Sequence, residues 1–113
     1  TRNYMILFVN KEYDPITYAH HEMAHVLWAF NKEYKADMQQ AIRAMNKNIK
    51  KKFYDVLLSI GYSREGIADE LQAYLATGPM HFQKIHGIKK YHSIFKKIIN
   101  KYFSRKKLIQ VIK

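Results

Sequence analysis

With 113 residues, 48% of them hydrophobic, the chain is long enough for one folded domain and too apolar to be disordered. It has no cysteine, which excludes disulfides, thiolate metal sites and cysteine nucleophiles, so any bound metal must be held by His, Asp or Glu. The net charge of +11 is unevenly placed: up to Glu70 ten Lys/Arg stand against nine Asp/Glu, whereas Leu71 to Lys113 carries ten Lys/Arg and no acid.

No run of about 18 apolar residues occurs, so no segment reads as transmembrane. No basic stretch leads into an apolar one, so no signal peptide is visible and the chain reads as soluble, with its compartment open. It starts at Thr1, which reads as an internal position. Residues 1–113 are therefore expected to form a single domain from the C-terminal part of a longer protein, with a core in 1–76 and a basic helical region in 77–113.

Tyr4 to Val9 is a continuous apolar run and predicts one buried strand. Asp14-Pro15 marks a turn or helix start. Ile16 to Phe30 (ITYAHHEMAHVLWAF) is apolar almost all round, which predicts a buried helix, closed near Asn31-Lys32-Glu33. Asp37 is placed to cap a long amphipathic helix. In it Met38, Ile42, Met45, Ile49, Phe53, Leu57 and Ile60 recur at three- and four-residue steps, and Gly61 suits its end. A shorter helix is predicted from Ser63 to about Ala76, ended by Gly78-Pro79. Met80 to Gly87 reads as a loop with His81 and His86, and Ile88 to Phe103 as a last amphipathic helix. Leu108 to Ile112 could be a short strand or a docking tail. The sum is a mostly helical α+β chain.

His21-Glu22-Met23-Ala24-His25 is an HExxH pattern inside the apolar helix. Histidines four residues apart share one helix face and can reach one ion. Two imidazoles and a carboxylate in an apolar helix are expensive without partners, and a divalent cation supplies one. Neutral imidazoles suit zinc, and an open coordination position keeps a water whose proton Glu22 can take as general base. A catalytic zinc needs a third protein ligand. Glu70 is the first candidate and Asp69 the second, although acids in a first helical turn are also favoured by the helix dipole. His81, His86 and His92 are weaker candidates. Tyr74, four residues after Glu70 and on its face, could stabilise an oxyanion, or could simply be a packed aromatic. His20 points elsewhere on the helix.

At His21-Glu22-Met23-Ala24-His25 and Glu70-Leu71-Gln72-Ala73-Tyr74 the chain resembles the zincin metallopeptidases, in particular their gluzincin branch. That resemblance implies His21, His25 and Glu70 as Zn²⁺ ligands, Glu22 as general base, and hydrolysis of peptide bonds in a peptide or protein substrate. It implies a zincin-like fold in which a minimal or truncated sheet packs on the active-site helix. Trp28 and Asn31 stand where the metzincin branch would require glycine and histidine.

Two other readings compete. One is a non-catalytic zincin-like domain, or a basic module that binds nucleic acid, an anionic surface or an acidic partner through its C-terminal region. The bland form of that reading is a solvated, lysine-rich helix face. The other is a di-iron carboxylate bundle, which needs a second Glu-x-x-His besides Glu22 to His25, and the chain has none.

Overall fold

The computed structural model describes residues 15–78 and 82–103, which form five α-helices. These are α1 (Pro15–Phe30), α2 (Lys32–Arg43), α3 (Lys47–Ser59), α4 (Ile67–Thr77) and α5 (Ile88–Phe103). Pro15 occupies the first helical position, where its missing N–H is no loss.

No strand occurs among the described residues, which form an all-helical globule, and this overturns the expected α+β architecture. The apolar surface that a sheet would offer to the HExxH helix is offered instead by α4, whose residues from Glu70 to Ala76 are all buried. α4 touches each of the other four helices, and α1 and α5 pack against it. The segments read as strands, Tyr4 to Val9 and Leu108 to Ile112, lie outside the described residues.

α1 is less enclosed than its composition predicts. Ala24, His25 and Leu27 are buried, whereas His20, Ala29 and Phe30 are exposed. Asn31 joins α1 to α2: its amide bonds back to the Leu27 carbonyl, and its side chain accepts from the Tyr34 amide as an N-cap. Asp37 therefore lies inside α2, not at its start, and accepts a hydrogen bond from the Tyr102 hydroxyl of α5 at 2.8 Å.

The single long helix read from Met38 to Ile60 is two helices. The chain breaks at Ala44 to Asn46, where the Asn46 side chain accepts from the amides of Asn48 and Ile49 and starts α3. Gly61 ends α3 as expected. At φ 110° it allows the chain to turn back, with its own amide on Leu58 and that of Tyr62 on Leu57. Around α4 the core is aromatic: Phe53 stacks on Phe82 at 3.8 Å between ring centres, and Tyr74 meets Phe82 edge-on. Burying a side chain of this size contributes about 1.5–3 kcal/mol. Among the described residues no helix is long and apolar enough to cross a membrane.

Candidate metal centre

The candidate site lies where α1 meets α4. His21 and His25, one helical turn apart, point their Nε2 atoms at each other across 3.2 Å. From α4, Glu70 places Oε1 3.3 Å from Nε2 of His25 and 3.8 Å from Nε2 of His21. Three donor atoms from two helices thus outline a small triangle. Tetrahedral zinc with bonds of about 2.0–2.1 Å sets its ligand atoms about 3.3–3.4 Å apart; the two edges at His25 come close to this, and the edge from Glu70 to His21, at 3.8 Å, is longer. His21, Glu22 and His25 also each offer a ligand atom within 4.8 Å of the others, which brings the Glu22 carboxylate near both imidazoles.

The far sides of both imidazoles are held. Nδ1 of His25 lies 2.8 Å from Oδ1 of Asp69. Nδ1 of His21 lies 3.4 Å from the Thr77 hydroxyl, which donates its own proton to the Ala73 carbonyl and so accepts from the ring. A proton on each Nδ1 leaves the Nε2 lone pairs as the converging atoms. Two lone pairs and a carboxylate oxygen repel one another unless a proton or a cation lies between them. Without a cation, a proton on His25 is favoured. Burial lowers the pKa of His25, but the Asp69 and Glu70 carboxylates more than offset it and raise it from 6.5 to about 9. A metal entering the site must displace that proton.

Asp69 is itself fixed from behind. The Gln72 side-chain amide donates to Oδ1 of Asp69 at 3.0 Å and to the Ala24 carbonyl of α1 at 3.2 Å, and its oxygen accepts from the Tyr34 hydroxyl at 2.5 Å. Tyr34 and Gln72 are fully buried. Outer partners of this kind orient metal-binding imidazoles.

The adjacent acids therefore have different places: Glu70 faces the converging nitrogens, while Asp69, the second candidate ligand, bonds the back of His25. Tyr74 meets His21 edge-on, 4.6 Å between ring centres, and its hydroxyl is 2.9 Å from that of Tyr62. The remaining histidines are elsewhere. His20 packs on Phe103, His86 is exposed, and Nδ1 of His92 donates to the Leu75 carbonyl at 2.6 Å; His81 lies outside the described residues.

Sequence reasoning missed Gln72, Tyr34, Thr77 and Tyr62. Gln72 carried a signal, as a lone amide between Leu71 and Ala73 in an apolar stretch. The others look like ordinary helix and turn residues. No known protein-family model, curated protein or solved structure matches the chain.

Proposed function

We propose that the chain is a zinc-dependent hydrolase of peptide bonds, with zinc held by His21, His25 and Glu70. The observation that supports this reading most is the convergence of Nε2 of His21, Nε2 of His25 and Oε1 of Glu70 at 3.2–3.8 Å, with both imidazoles anchored through Nδ1. The all-helical fold sets the chain apart from the zincin architecture, so the reading rests on these side chains and not on a family.

Zinc held there would supply a Lewis acid that polarises a substrate carbonyl and makes water acidic. The chain's own groups do the rest. Glu22, beside the donor triangle, accepts the proton of the attacking water and returns it to the leaving amine. Asp69 keeps the His25 ring in register. Tyr74, with Tyr62 behind its hydroxyl, offers a donor to the developing oxyanion next to His21.

A second reading has a specific basis: Glu22 lies close enough to the histidines to act as a fourth ligand. A site closed by four protein groups would be a structural staple between α1 and α4. Metal analysis of the purified chain and of its Glu22→Gln variant separates the two. The hydrolase reading expects one zinc in both, with peptide cleavage falling at least about 100-fold in the variant. Absent zinc, or cleavage that survives Glu22→Gln, refutes it. Zinc binding that weakens with Glu22→Gln, without any cleavage by the parent, selects the staple.

A further inference from the structure

On the outside of α3, away from the residues assigned above, the surface folds into a cleft of about 520 Å³. Lys47, Lys50 and Lys51 line it from α3, and Arg64 lines it from the connection to α4. Positions i, i+3 and i+4 lie near one another on a helix surface, which brings the three lysines to one cleft. Asp55 is the one acid among the lining residues, and it pairs with Lys51 at 2.9 Å on an exposed part of the surface. That pair leaves three cations on the wall for one cleft. The remaining wall is apolar and half-buried: Tyr54, Leu58 and Ile67.

We propose that this cleft binds a phosphate-bearing ligand whose body packs on the Tyr54, Leu58 and Ile67 wall, as a nucleoside monophosphate would. A concave site of this size accommodates a small ligand. Lysines and an arginine on one cleft match phosphate oxygens in charge, and a guanidinium can fork onto two of them. With Lys51 paired to Asp55, Lys47, Lys50 and Arg64 supply the positive charge that an anion in the cleft would meet. An acidic side chain would satisfy the charges but has no flat body for the aromatic wall.

Titration of the full chain at low ionic strength tests this with adenosine monophosphate, inorganic pyrophosphate, adenosine and a hexaglutamate peptide. Adenosine monophosphate is expected to bind at least tenfold tighter than adenosine or hexaglutamate, and pyrophosphate to compete with it. Lys50→Gln combined with Arg64→Gln should weaken binding at least tenfold, and Lys89→Gln with Lys90→Gln, on α5, less than twofold. Both double variants change surface side chains, and an unshifted or raised melting temperature shows that they fold. An oligothymidylate arm identifies the source of the phosphate: a strand if it outbinds the mononucleotide with the same dependence on Lys50 and Arg64, a free nucleotide if it does not. Absence of binding by adenosine monophosphate, hexaglutamate binding equal to it, or equal losses in the two double variants overturns the proposal.

Discussion

Gln72 occupies a place where a leucine would fill nearly the same volume, yet its amide holds Asp69, the Ala24 carbonyl and the Tyr34 hydroxyl together. Replacing it with Leu leaves those buried groups without it. Gln72→Leu is expected to destabilise the metal-free chain by about 1–3 kcal/mol in urea unfolding, because a buried polar group deprived of its partner pays its full desolvation. On the proposed function, zinc affinity in a chelator competition should also fall about 10- to 100-fold. Unchanged affinity would show that Asp69 needs no support. Tyr34 adds a pH dependence. Burial, helped by Asp69 and Tyr102, lifts its phenol far above the ordinary value of 10. The folded chain keeps the proton while the unfolded chain releases it above pH 10. A pKa raised in the folded state means that stability is intact below pH 10 and is lost as pH rises past it, by about 1.4 kcal/mol per unit for one group. Unfolding of the parent and of Tyr34→Phe between pH 8 and 11.5 should diverge above pH 10, the parent losing more; parallel curves would refute this. At this scale the sequence shows a good deal. The four-residue spacing of His21 and His25 predicts that the rings share a face, and they do. Which nitrogen each acid meets is not legible, because Asp69 and Glu70 are one residue apart and only the packing of α1 on α4 separates their roles.

The break between α2 and α3 shows how an element can be misread. Ile42, Met45, Ile49 and Phe53 keep a helical rhythm straight across it, so periodicity alone runs the two helices together. What decides is local: Asn46 takes two amide protons with one carbonyl oxygen, and its own amide donates to the Tyr91 hydroxyl of α5 at 2.9 Å. Asn46→Ala should therefore cost about 1 kcal/mol in thermal or urea unfolding, the usual worth of an N-cap. A loss below a few tenths would show that the Tyr91 bond and the core hold the break without the cap. Gly87 keeps the approach to α5 open from the other side. Its φ is 88°, and a Cβ there would lie 3.0 Å from Cδ1 of Ile49. The end of α3 was legible because a glycine after a helix has few other uses, whereas an asparagine within a polar face has many.

For the molecule as a whole, the helical stretches were legible, apart from the break at Ala44 to Asn46, and the class was not. An HExxH pair and a later glutamate require two packed helices and nothing more, so a sheet does not follow from them. The sheet came from the apolar run at Tyr4 to Val9 and from the resemblance. Hydropathy also predicts a buried α1, whereas the most buried helix is α4, whose sequence is shorter and carries two acids and an amide. Those polar groups are tolerated because each meets a partner on α1 or α2. α4 has no exposed residue between Glu70 and Ala76, so baring its backbone requires parting it from the helices around it. Its amides are expected to exchange with deuterium only through global opening. By NMR they should be the slowest in the chain, with an exchange free energy equal to that of unfolding. Faster exchange there than in α3 would show a looser centre. On that expectation Glu70 is fastened to the part of the molecule that lets go last, and the carboxylate corner of the donor triangle lasts as long as the fold.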